Sequence, residues 1–167
     1  MKALIPLVAA LGLTLSWVAG SRAEHPAVFP MPSSPDYVEE CGSCHTAYAP
    51  GLLPARSWRT LMAGLADHFG EDAELEPPLR TALLAELTAL AADSAQASLL
   101  MRRIAGAIPA AETPLRASTG PFFRYMHDEV PAAIWKRPKI GNPSNCMACH
   151  PRANQGHYGE AEVRIPK

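Results

Sequence analysis

Every cysteine in this 167-residue chain falls in one of two copies of Cys-x-x-Cys-His, Cys41-Gly42-Ser43-Cys44-His45 and Cys146-Met147-Ala148-Cys149-His150. Two thiols three positions apart can add across the two vinyl groups of one porphyrin. The histidine next in line then reaches the iron from the same turn of chain. The pattern therefore predicts two covalently attached haem c groups, with Cys41, Cys44, Cys146 and Cys149 as thioethers and His45 and His150 as iron ligands. A zinc ribbon would place its two cysteine pairs roughly 15–20 residues apart, whereas about 100 residues separate Cys44 from Cys146. A thioredoxin-like dithiol would sit in a βαβ pattern, and no convincing strand is evident. Disulfides suit an oxidising compartment, but they leave the histidine after each pair unexplained.

The N-terminus points to such a compartment. Lys2, an apolar stretch from Ala3 to Ala19 and the small-residue site Ser21-Arg22-Ala23 read as a secretory signal peptide spanning residues 1–23. The stretch is marginal against the roughly 20 apolar residues that a membrane span needs, and no cysteine near the cut offers a lipid anchor. The expectation is a soluble, periplasmic protein. The remaining 144 residues amount to roughly 72 per haem, too few to build a sufficient core from side chains alone. The porphyrins themselves would then supply much of the interior, and the haem-free chain should be largely unfolded.

Charge is segregated along the chain. Residues 24–76 carry nine acidic and two basic side chains, residues 77–130 five of each, and residues 131–167 two acidic and six basic. Such a dipolar molecule can be steered as it meets a partner, and Lys136, Arg137 and Lys139 form a compact basic run ahead of the second motif. With no net basic balance to neutralise phosphates, nucleic-acid binding is excluded as a function class.

Periodicity gives helices joined by proline-rich connectors. His25 to Pro35 holds four prolines and reads as an extended arm; Ser34 and Pro35 then offer an N-cap and first helical position for a helix running into the first motif. From Ala55 to Phe69, Trp58, Leu61, Met62, Leu65 and Phe69 recur at helical spacing, with Gly70 as the stop. Pro77-Pro78 opens a helix lined by Leu79, Leu83, Leu87 and Leu90. Residues 94–107 are expected to be helical, 109–114 to connect two lobes, and 122–130 to form another short helix. This sets an N-terminal haem domain at 24–108 and a C-terminal one at 109–167.

An iron with both axial positions filled transfers electrons, while an open one binds small molecules, so the second ligand decides the function class. His25 lies in the arm and His157 in a polar tail, whereas Met62 and Met126 suit the core. His68 and His127 sit on apolar helical stripes, and each lies 23 residues from a motif histidine. They are the expected distal ligands, which favours an electron carrier over a small peroxidase- or oxidase-like dihaem enzyme. Arg56 and Arg59 are the cations of the acidic half and are expected to meet a haem propionate.

Three stretches carry a family likeness: residues 40–58 around the first motif, Leu65-Ala-Asp-His-Phe-Gly-Glu-Asp72, and Asn145-Cys-Met-Ala-Cys-His-Pro-Arg-Ala153. Together they resemble the dihaem cytochrome c family called DHC. The resemblance implies a mainly α fold with an N-terminal lobe similar to a small monohaem cytochrome c and a shorter, less regular C-terminal haem wrap. It also implies two low-spin haems with histidine on both sides, paired as His45/His68 and His127/His150. The implied role is that of an electron carrier working with an oxygen-binding monohaem cytochrome or a membrane cytochrome b.

Overall fold

The computed structural model describes residues 27–167; the expected signal peptide and His25 lie outside the described residues. Six α-helices, joined by loops and short 3-10 turns, make up the described chain: α1 Pro35–Gly42, α2 Ala55–Ala63, α3 Pro77–Ala89, α4 Leu99–Gly106, α5 Pro121–Met126 and α6 Ala132–Trp135. Pairing between extended segments is limited, among the described residues, to two isolated antiparallel bridges, Val28 with His157 and His68 with Glu71. The mainly α class expected from the sequence is what the chain adopts.

Local chemistry places several helix starts. The Ser34 hydroxyl accepts from the Asp36 amide with Pro35 behind it, opening α1, and Ser98 does the same for the Met101 amide of α4. Pro54 has no side chain to cap α2, and Asp93 supplies one from beyond the end of α3 by accepting from the Ala55 amide at 2.7 Å. This long-range cap locks α2 against α3, its main packing partner.

The first core gathers Tyr37, Leu53, Trp58, Met62, Leu65, Leu83 and Leu87, so the predicted stripes of α2 and α3 do face each other. The Trp58 indole is buried with its N–H donated to the Pro50 carbonyl at 2.8 Å, which meets the requirement that a buried polar group be paired. A second core holds Phe29, Ala49, Ala92, Ala97, Met101 and Ile104, with Phe122 and Tyr158 packed against it. It draws on the N-terminal arm, the middle of the chain and the C-terminal segment at once.

Three helices are shorter than the sequence suggests, and of these α4 begins at Leu99, behind its Ser98 cap, rather than at Ser94. α2 ends at Ala63 because Gly64 takes up φ −112°, ψ 24°, and a 3-10 turn Leu65–Asp67 follows. His68 therefore lies on a turn rather than a helical stripe. Likewise α5 stops at Met126, leaving His127 at its C-terminal cap with φ −124°. The tail expected around His157 is also held down. Tyr158 donates its amide to the Ala27 carbonyl and Phe29 donates to Gly156, at 2.8 and 2.9 Å. The Arg152 guanidinium donates to His157 Nε2 at 2.8 Å, and His157 Nδ1 lies 3.4 Å from Glu162.

Candidate haem sites

The first motif begins in the last turn of α1, which carries Cys41, and continues through Cys44 to His45. His45 Nδ1 lies 2.8 Å from the Thr46 carbonyl. A carbonyl can only accept, so Nδ1 bears the proton and the Nε2 lone pair is left for a metal. Across from it stands His68, with ring centres 6.0 Å apart and planes 31° from parallel. His68 is fixed by its turn: its amide donates to the Glu71 carbonyl at 2.7 Å, and Gly70 donates to the Asp67 carboxylate at 3.0 Å.

The second motif runs through the 3-10 turn Cys146–Ala148, and the His150 amide donates back to the Cys146 carbonyl at 2.7 Å. His150 and His127 have ring centres 6.2 Å apart at 81°. His127 stacks on Phe123 at 4.1 Å, and its Nδ1 donates to the Phe123 carbonyl at 2.8 Å, again leaving Nε2 free. Trp135 of α6 and Tyr158 wall the pair, 5.8 Å from His127 and 5.5 Å from His150.

At His68 and His150 burial acts on the ring in the direction that suits ligation. Burial, then neighbouring His45 and Arg116, lowers the pKa of His68; burial and then His127 lower that of His150. Each shift favours the neutral ring that a metal requires. Burial pushes the Cys41 and Cys146 thiols up to about 11, so neither is the activated thiolate of a redox dithiol. All four cysteines are unpaired. Among the described residues no cluster of three or more His, Cys, Asp and Glu side chains could hold a naked metal ion.

The two sites are joined through Tyr48. It lies 5.2 Å from the His45 ring, and its hydroxyl donates to the Ser144 carbonyl at 2.7 Å, two residues ahead of Cys146. The Ser144 hydroxyl in turn lies 2.8 Å from that of Ser118. Tyr48 follows His45 by three and was findable by spacing; the partner of its hydroxyl was not.

One residue expected in the core came out differently. Met62 fills the core, as the sequence suggested, but Met126 is 57% exposed, because α5 turns that face outward. Arg56 directs Nε and Nη2 to the Glu112 and Pro109 carbonyls at 2.7 and 3.1 Å, pinning the connector after α4. Arg59 is exposed. The cation beside the first histidine pair is Arg116, for which the sequence held no signal.

Two haem-attachment motifs, each with its histidine turned toward a second one, define a multihaem c-type cytochrome. A family description of dihaem cytochrome c matches residues 37–158, and the chain belongs to that family. Among solved structures it is similar to the diheme cytochrome c from Rhodobacter sphaeroides, at 43% identity over 77% of this chain and 98% of that one, with a TM-score of 0.66. It is also similar to the diheme cytochrome type c from Shewanella baltica OS155, at 34% identity over 81% and 95% of the two chains, TM-score 0.66. No curated protein sequence matches. The chain therefore carries two covalently bound c-type haems. The residues present fit them: two thiols and a histidine stand together at each motif, and two of the facing imidazoles have their Nδ1 protons committed to carbonyls.

Proposed function

We propose that the protein is a periplasmic electron carrier whose two haems are both low-spin, ligated by His45 and His68 and by His127 and His150. One observation carries this reading. An imidazole nitrogen binds a metal at about 2 Å and the ring centre lies about 1 Å behind it, so two histidines on one iron have ring centres about 6 Å apart. The separations are 6.0 and 6.2 Å. With both axial positions filled, the iron has no site for substrate. The side chains then do no bond chemistry and instead set potential through ligation, burial and hydrogen bonding.

Low-temperature paramagnetic resonance of the oxidised holoprotein tests this, together with carbon monoxide addition to the reduced form. Two low-spin signals and no ready uptake of the gas are expected. A high-spin signal or prompt uptake at either haem would favour the dihaem enzyme instead.

The partner is another redox protein, an oxygen-binding monohaem cytochrome or a membrane cytochrome b by the family likeness, and docking is electrostatic. Lys136 and Lys139 are exposed, whereas Arg137 donates to the Pro166 carbonyl at 2.6 Å. The two lysines are thus the residues of the basic run available to a partner. Bimolecular electron transfer is expected to slow as salt rises, because exposed charges are screened within about 8 Å at physiological ionic strength. Lys136→Glu with Lys139→Glu should change the association rate and leave the haem spectra alone. A rate indifferent to both would point to apolar contact at a haem edge.

A further inference from the structure

Arg116 enters the first haem site from the segment between α4 and α5. Its guanidinium carbon lies 3.8 Å from the centre of the Phe69 ring, a cation–π contact. Phe69 packs edge-on against His68, with ring centres 4.8 Å apart. The backbone of Phe69 is at φ 60°, a left-handed conformation that costs a non-glycine residue about 1–2 kcal/mol. The surrounding turn maintains it: the Phe69 amide donates to the Asp67 carbonyl at 3.1 Å, and the His68 and Glu71 backbones bond to each other. A strained residue so placed holds a ring between the distal histidine and an arginine.

Nothing among the described residues neutralises that arginine. The ion pairs there join Glu162 to Arg152 and His157, and no carboxylate among the described residues lies within salt-bridge distance of Arg116. Arg116 is exposed, as Arg59 is on α2, but Arg116 alone of these sits on the ring beside His68, while Arg56 is held by connector carbonyls. A positive charge beside an iron stabilises the state with one more electron. The same charge would also be available to a haem carboxylate, with the same sign of effect.

We propose that Arg116, seated on Phe69, is the tuning residue of the first haem, its positive charge favouring the reduced iron and raising that haem's potential relative to the second. The inference rests on the first haem lying between His45 and His68. A unit charge at such a site, partly screened, should shift the reduction equilibrium about tenfold, equivalent to ~59 mV for one electron.

The test is a spectroelectrochemical titration of the holoprotein, resolving its two one-electron steps, for Arg116→Met, Arg116→Lys and Phe69→Leu. In Arg116→Met one step should fall by about tenfold in equilibrium constant while the other moves much less. Arg116→Lys should retain most of the wild-type value, since it keeps the charge. Phe69→Leu should give an intermediate fall, because the guanidinium loses its platform. Unchanged potentials in Arg116→Met, or equal shifts in the Met and Lys variants, would overturn the proposal. Failure of the ligation reading is distinguishable: it shows as an unaltered resonance spectrum in His68→Ala. Failure of the present inference shows as unaltered potentials in Arg116→Met with both irons' resonances intact.

Discussion

Replacing His68 by Ala is expected to turn one iron high-spin and leave the other as it was. The imidazole opposite His45 is the only one within 6.0 Å of it among the described residues, and alanine offers nothing in its place. The nearest methionine in sequence, Met62, is 4% exposed and packed into the first core, so it cannot swing across without opening α2 from α3. The turn should survive, because its bonds run through the backbone of His68 and Glu71 and the Asp67 carboxylate. Carbon monoxide should then bind the altered haem of the reduced variant readily and the other haem not at all. His127→Ala should give the complementary result at the second haem, with the added loss of the stack on Phe123. A resonance spectrum identical to wild type would remove the substituted histidine from the ligand set.

Gly156→Ala is expected to destabilise the protein by about 3 kcal/mol or more. Gly156 is left-handed, at φ 80°, and a Cβ there would collide with the Phe29 carbonyl oxygen. That oxygen belongs to the arm that the C-terminal segment clasps. Phe29 donates to the Gly156 carbonyl, Tyr158 donates to Ala27, and the Phe29 ring meets Tyr158 edge-on at 5.5 Å. Phe29 also seals the second core, close enough to Gly51 that a Cβ there would sit 2.8 Å from its ring. Pushing the arm away would thus uncover a core shared by both ends of the chain. Denaturant unfolding of the holoprotein measures the effect, and limited proteolysis should show cleavage ahead of Ser33. Gly106→Ala provides the control, because a Cβ there meets nothing within 4 Å and alanine favours a helix by up to about 1 kcal/mol over glycine. Equal midpoints for Gly156→Ala and wild type would refute the clasp.

The histidine pairs show how far pattern reading carried and where it stopped. Helical spacing puts His68 and His127 on apolar stripes only if the helices continue through them. Both stand opposite the motif histidines expected, but as turn and cap residues. Helical periodicity describes a face only while the backbone remains helical, and Gly64 ended that condition four residues before His68. The Leu83 and Leu87 stripe was legible because α3 runs unbroken past both and buries them. The seating of Arg116, by contrast, depends on a positive φ at the neighbouring Phe69, which nothing in a run of L-residues advertises.

By itself the sequence determined the number of haems, their covalent attachment and the two motif histidines, because thioether chemistry requires both thiols and the first ligand within five consecutive residues. It also determined the mainly α class, through caps and apolar spacing that act within a few turns. Only the tertiary structure decided that His68 sits on a turn and His127 at a helix cap, that Tyr48 reaches Ser144, that Asp93 caps α2, that Arg116 rests on Phe69, and that Phe29 is clasped by the C-terminal segment. Most of these contacts join residues far apart along the chain. Their geometry follows from where helices end and how cores close, and those are cooperative properties of the folded molecule rather than of any local window.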